Sequence, residues 1–155
     1  MISIRKLKKE DVYTVYEYSS DVENTYYMLN DPFSSLDETK DFIERCIAAY
    51  EMNPIPYLSM AVLLNDIHIG EVFASISGEI ADIGWIINKK YWGNGYATEA
   101  AKLLIEYLEK NLGIRKIIAY CDERNVASQK VMEHLGMRCM GSSGIRKYEQ
   151  KWSNL

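Results

Sequence analysis

The chain has few of the residues that staple folds or bind metals. Three cysteines, Cys46, Cys121 and Cys139, are an odd number without C-x-x-C spacing. That excludes a disulfide framework and a zinc site and leaves reduced thiols. Two histidines, His68 and His134, stand far apart, and neither has a partner at metal-ligand spacing. A basic excess is also missing: 18 Lys and Arg face 22 Asp and Glu, with a pI near 5.3. Without a basic patch interleaved with aromatics there is no nucleic-acid footprint. No apolar run approaches membrane-spanning length, and residues 1–7 alternate like a strand rather than forming the apolar stretch of a signal peptide. The expected setting is the cytoplasm, away from membranes. Prolines are few, and there is neither a low-complexity tract nor an internal repeat, so 155 residues at 48% hydrophobic content describe one globular domain over 1–155.

What is present centres on residues 83–101. Residues 83–87 are an apolar, β-branched run that stops at the polar cluster Asn88, Lys89, Lys90, as a buried strand does. Gly93 and Gly95 follow at alternate positions. From Ala97 to Asn111 the apolar residues Ala97, Ala100, Ala101, Leu104 and Leu108 recur at the spacing of one helical face. A helix therefore opens from a glycine loop at the end of a strand. Its unpaired N–H groups and the loop amides make an anion site suited to a phosphate or pyrophosphate. No Lys-Ser or Lys-Thr follows the loop and G-x-G-x-x-G is incomplete, which disfavours a nucleotide P-loop.

Around this junction the pattern predicts a helical stretch from Glu10 through Glu17. A second should run from Ser35 to Tyr50, opened by Ser35 and Glu38 at capping-box spacing, with Leu36, Phe42, Ile43, Cys46, Ile47 and Tyr50 inward. Residues 21–33, polar and aromatic, read as a lid. An antiparallel meander follows over 57–64, 67–77 and 80–88. A strand over 116–121 should lie parallel to 83–87, because a helix joins them. A helix over 126–135 ends at Gly136, and a closing hairpin pairs 137–140 with about 146–152. Residues 1–60 hold 11 acidic and 6 basic side chains against 11 and 12 in the remainder. Solvated surface accounts for this, as does an acidic half bordering a cationic amine while Lys89, Lys90, Arg124 and Lys130 attract phosphates.

Two motifs together resemble a known family. Trp92-Gly93-Asn94-Gly95-Tyr96-Ala97 is similar to the Arg/Gln-x-x-Gly-x-Gly/Ala loop of the GNAT superfamily of acyl-CoA-dependent N-acetyltransferases. Asn125-x-x-Ser128 with Leu135-Gly136-Met137 is similar to its next motif. The combination looks most like the branch containing the ribosomal-protein N-terminal acetyltransferases, closely over residues 70–141. The resemblance implies an α/β fold whose mixed, mostly antiparallel sheet splays at the acyl-CoA site and carries helices on both faces. It also implies acetyl transfer from acetyl-CoA, without a metal, to a primary amine that is a small molecule or a protein N-terminus. Direct attack in a ternary complex is expected, and a homodimer remains open.

By the same resemblance, backbone groups at Trp85, Ile86 and Ile87 hold the pantetheine arm. The amides of Gly93, Asn94, Gly95, Tyr96, Ala97 and Thr98 hold the diphosphate, and Asn125 steadies the coenzyme. Trp92 departs from the family's Arg or Gln and carries no expected phosphate contact. Met132 stands where many relatives have a proton-donating Tyr, and a thioether cannot donate. Ser128 is the expected proton donor to the thiolate, in addition to lying at the coenzyme. Asp82 is the expected base, with Glu71 or water as the alternatives. Asn125 can also act as a local cap, and Ser128 reads as well as an ordinary residue of a helix N-terminus. Two rival readings are a non-catalytic acyl-CoA-binding regulatory module and a nucleotide binder.

Overall fold

The computed structural model describes residues 1–28, 31–122 and 124–139, together with the backbone of the strands Ser142–Ile145 and Trp152–Asn154. Five strands form the main sheet in the order β1-β2-β3-β4-β5: Ile2–Lys6, Tyr57–Leu64, Ile67–Ser77, Ile80–Ile87 and Lys116–Ala119. The first four are antiparallel and β5 runs parallel to β4, as the intervening helix requires. The β2–β3 turn is the dipeptide Asn65-Asp66, both at positive φ, a backbone that matches the twist of a tight hairpin.

Helices α1 (Val12–Ser19, after a short 3-10 turn) and α2 (Leu36–Tyr50) cover one face, around Val15, Tyr18, Ile43 and Cys46. Helix α3 (Tyr96–Leu112) covers the other, where Ala100, Ala101, Leu104 and Leu108 are fully buried. Each of the two leucines contributes about 1.5–3 kcal/mol by leaving water. Ser35 caps α2 as expected, its hydroxyl accepting from Glu38 N at 3.1 Å. The reciprocal half differs, because the Glu38 carboxylate turns to the Ser34 hydroxyl at 2.7 Å. Leu36, expected inward, is 40% exposed, and Thr39 and Ala49 occupy that face instead. No helix among the described residues is long and apolar enough to cross a membrane.

Two expected strands need correction. The strand over 116–121 is broken at Tyr120: β5 ends at Ala119, and β6 (Cys121–Asp122) belongs to a second sheet ordered β6-β8-β7. The alternation of residues 116–121 gave no sign of this, since both pieces are extended. The closing hairpin is displaced along the chain: β7 is Ser142–Ile145 and β8 is Trp152–Asn154, while residues 137–139 are not strand. Of the expected hairpin, residues 140 and 146–151 lie outside the described residues. Helix α4 (Val126–His134) ends as predicted at Gly136. The N–H groups of Gly136 and Met137 return to the carbonyls of Glu133 and Met132 at 2.9 and 3.0 Å.

Beneath α1 the sheet carries a buried ion pair. Arg5 grips Asp11 with two bonds of 2.8 and 2.9 Å, and Asp11 is 6% exposed. Burial alone would raise the Asp11 carboxyl, but the Arg5 fork and the Lys8 N–H hold it below the usual carboxylate range. Its contribution is therefore full above the unfolded pKa of 3.8 and drains as pH falls through the lower folded value. Asp11→Asn is expected to cost about 2–3 kcal/mol at neutral pH, less than a fully buried pair because Arg5 is partly exposed. Urea midpoints of the two proteins check this, and their difference should narrow in acid.

Candidate active site

The parallel pairing of β4 and β5 stops at Ile83↔Ala119, yet β4 continues to Ile87. Beyond that point the strands part. Asn88 N donates to Ile69 O at 2.7 Å, which makes Gly70↔Ile87 a pair that does not bond directly to each other. Ile87, and by alternation Trp85, therefore turn their N–H and C=O groups away from β3 into the gap. The Ile87 carbonyl is met there by the Trp92 indole N–H at 2.8 Å and the Asn24 amide at 3.2 Å.

At the far end of the gap the chain makes a 3-10 turn, Lys89–Tyr91, and enters α3 through Gly95, whose φ of 77° is left-handed. A glycine at the N-cap has no side chain to occupy the first turn. Glu99 N bonds back to Gly95 O at 3.2 Å, so the N–H groups of Tyr96, Ala97 and Thr98 precede the first intrahelical bond and project outward. Asn94 spans the loop, its amide donating to Tyr91 O and Trp92 O at 3.1 and 3.2 Å.

A cavity of about 630 Å³ runs from this loop to the gap. Trp85, Ile86, Ile87, Gly93, Asn94, Gly95, Tyr96, Ala97, Thr98, Asn125 and Ser128 all line it. A second cavity, about 650 Å³, opens on the α1–α2 face and is bordered by Asp82, Glu71, Tyr120 and Cys121. Trp85, Ile86, Asn125, Ser128, Tyr27 and Met28 line both, so the two meet where β4 and β5 separate. The first ends on the outward-facing amides at the start of α3, where an anion is favoured, and the second opens beside it.

Ser128 stands at that meeting point. Asn125 caps α4, its carbonyl oxygen accepting from Ser128 N at 3.1 Å while its amide donates to Ser128 Oγ at 3.0 Å. The Trp85 indole donates to the same Oγ at 3.2 Å. A hydroxyl has two acceptor sites and one proton. Both acceptor sites are taken, so the Ser128 proton is directed elsewhere. Met132, by contrast, is 4% exposed and packs in the core.

Glu71 forms part of the floor of the second cavity, 3% exposed, with Tyr18 Oη donating to Oε1 and Ser59 Oγ to Oε2, each at 2.7 Å. Burial raises its carboxyl and outweighs the two hydroxyl bonds. Tyr18 Oη also lies 3.0 Å from His68 Nε2, which is 3.0 Å from Gly70 O. Because the Tyr18 proton is committed to Glu71 and a carbonyl only accepts, the ring proton sits on Nε2. Nδ1 then has no hydrogen-bond partner among the described residues, and burial lowers the His68 pKa. Asp82 is half-buried on the same sheet face as Glu71. Among the described residues no group of three His, Cys, Asp or Glu could hold a metal ion.

The basic residues expected near phosphates are mostly engaged elsewhere. Lys89 pairs with Asp21 and Glu23 at 3.2 Å, Lys90 with Glu17 at 3.1 Å, and Arg124 with Asp122 at 2.8 Å; Lys130 lines the first cavity. The acidic N-terminal half thus serves partly as the partner of these cations. Of residues 21–33, read as a lid, Tyr27 and Met28 line both cavities, Glu23, Asn24 and Tyr26 the first alone, and Thr25, Asp31 and Phe33 the second alone. Besides the Lys89 pairs, further contacts hold the segment. Asn24 reaches Ile87 O and Lys89 N, and the Tyr27 ring lies under the Arg124 guanidinium at 5.7 Å. Asn24, like the Trp85–Ser128 bond, was invisible in the sequence, because an Asn between acidic and aromatic residues reads as surface.

Comparison with known proteins agrees with this architecture. The family model described as an acetyltransferase (GNAT) domain matches residues 2–138. An uncharacterized N-acetyltransferase of Bacillus subtilis (strain 168), YnaD, is 34% identical over 140 residues, 89% of this chain and 79% of its own. Two solved structures share the fold. The spermidine N-acetyltransferase from Vibrio cholerae, in complex with CoA and spermine, has a TM-score of 0.85 at 18% identity, covering 99% of this chain and 92% of that one. The ribosomal-protein-S5-alanine acetyltransferase from Vibrio fischeri gives 0.78 at 20%, covering 99% and 88%. A domain match over most of the chain, with a relative above 30% identity, makes this protein an acyltransferase belonging to the GNAT family.

Proposed function

We propose that the protein transfers the acetyl group of acetyl-CoA to a primary amine by direct attack, with both substrates bound at once. The coenzyme supplies an activated acyl group as a thioester. The Trp85 backbone and the Ile87 N–H at the splay would hold its pantetheine arm, and the amides from Gly93 to Thr98 its diphosphate. Asn125 steadies the coenzyme and, through its bond to Oγ, aims Ser128. The amine nitrogen bonds to the acetyl carbon as the C–S bond breaks. The amine's proton passes to Asp82, directly or through water, and the Ser128 proton goes to the departing thiolate and is restored from solvent. Asp82 suits the first task because, half-buried, it can shed the proton to water. Relatives named for spermidine and for a ribosomal protein support an amine acceptor, either a small molecule or a protein N-terminus.

The observation that carries this reading is the Ser128 hydroxyl at the junction of the two cavities, both of its acceptor sites filled. Calorimetric titration with acetyl-CoA, beside ATP as a control, tests the coenzyme half, and thiol release across a panel of amines tests the chemistry. Micromolar binding of acetyl-CoA but not ATP, with amine-dependent thiol release, is the expected result. Tight binding with no release for any amine would instead mark a regulatory acyl-CoA-binding module, and no binding at all would overturn the reading.

A further inference from the structure

Glu71 is a buried carboxyl without a counter-charge. Its two donors are neutral hydroxyls, and no cation among the described residues lies within ion-pair distance. Buried carboxylates are ordinarily paired, because removing the charge from water is costly. Glu71 borders the cavity from which the acceptor would enter, so a cationic ligand can supply the missing charge.

The remaining lining points the same way. Asp31, Glu38 and Asp82 border this cavity with Glu71, against one basic residue, Arg45. Glu71 pairs across the sheet with Ile86, and Asp82 lies four residues before Ile86 on β4. At 3.2–3.4 Å per residue the two carboxylates are separated by roughly 13 Å along the sheet, too far for one ammonium to satisfy both. Between them, on the same face, Phe73 stands opposite Gly84. A Cβ on Gly84 would come within 2.3 Å of the Phe73 ring, so the ring packs directly against that glycine. The floor is thus apolar in the middle and carries a carboxyl at each end.

We propose that the acceptor is a small, extended aliphatic amine carrying at least two positive charges, with one ammonium seated on Glu71 and its methylene chain on Phe73, while the attacking amine faces Asp82. This rests on the transferase reading and deepens it. A peptide N-terminus would bring one ammonium followed by amides that an apolar floor cannot satisfy. Glu71 is the specificity-determining group: rigidly held by Tyr18 and Ser59, it binds the charge that does not react.

The test compares linear diamines of increasing length with monoamines of matching length and a neutral tripeptide, using acetyl-CoA and the full chain. Wild type should favour the best diamine by roughly 30-fold or more in kcat/KM, the range expected for a desolvated charge pair. In Glu71→Gln that preference should collapse through a rise in KM, while acetyl-CoA affinity measured by calorimetry is unchanged. Equal use of monoamines or the tripeptide by wild type would overturn the proposal. So would a Glu71→Gln variant whose kcat falls alike for every amine with KM unchanged, since Glu71 would then be the proton acceptor. If the variant fails to fold, the wild-type ratio decides. Failure of wild type to bind acetyl-CoA is a separate outcome, which removes the transferase reading itself.

Discussion

Replacing Gly95 by tryptophan is expected to weaken acetyl-CoA binding by at least about 100-fold, comparable to losing most of the interactions of a phosphate seat. The reasoning starts from φ. At 77° a side chain is strained by about 1–2 kcal/mol whatever its size. A Cβ there meets no protein atom within 4 Å, so a side chain can leave the backbone at this point without an immediate clash. It projects from the exposed loop at the helix start, in front of the amides of Tyr96, Ala97 and Thr98. The variant should therefore fold, with a slightly lowered Tm, and lose the ligand. Gly95→Ala separates the two effects, since it carries the same strain without the bulk and should retain most binding. Asn94→Ala should also bind, because the Asn94 side chain ties Tyr91 O and Trp92 O rather than facing a ligand alone. Calorimetric titration of the three variants checks the order. Wild-type affinity in Gly95→Trp would show that the diphosphate does not lie on these amides.

The same loop shows what the chain declares openly. Gly93 and Gly95 at alternate positions, a breaker-free strand before them and an Ala/Leu face after them are local signals, and each maps onto one element. The helix begins one residue earlier than the apolar spacing suggested, because Tyr96 follows the left-handed Gly95 directly. The meander was legible for a similar reason, since alternation and the Asn65-Asp66 turn fix it within a few residues. The splay was not. Whether residues 116–121 form one strand or two depends on which neighbour each half bonds to, and Ala119 and Cys121 pair with strands far apart in sequence. Long-range hydrogen bonding leaves no periodicity behind.

The chemistry divides along the same line. Ser128 and Asn125 stand three residues apart, and their mutual bonding is a local consequence of a helix cap. The third member, Trp85, comes from β4, 43 residues away, and only folding places its indole on the serine oxygen. Glu71 could be named as a strand carboxylate but not as a buried one, because its two hydroxyl donors arrive from α1 and β2. Its neighbour His68 looked like a solitary strand histidine, and the fold joins it to the Tyr18 hydroxyl and the Gly70 carbonyl.

Ser128→Ala is expected to lower kcat by about 100-fold, the lower end of what a positioned acid contributes, while acetyl-CoA affinity changes little. The direction follows from the count of hydrogen bonds on one oxygen. With Asn125 and Trp85 both donating to Oγ, the hydroxyl proton has nowhere to go but outward, and the serine borders both cavities. Removing the oxygen takes away the proton donor and releases two N–H groups that were pointed at it. A purely capping role predicts otherwise. The cap bond runs from Ser128 N to the Asn125 side chain and survives in alanine, so a structural serine would leave kcat near wild type. Ser128→Thr keeps a hydroxyl on the same backbone and should restore most of the rate if proton donation is the role. Single-turnover measurements with saturating acetyl-CoA separate chemistry from product release. A defect confined to KM for the coenzyme would place Ser128 in binding alone and leave solvent as the source of the thiolate's proton.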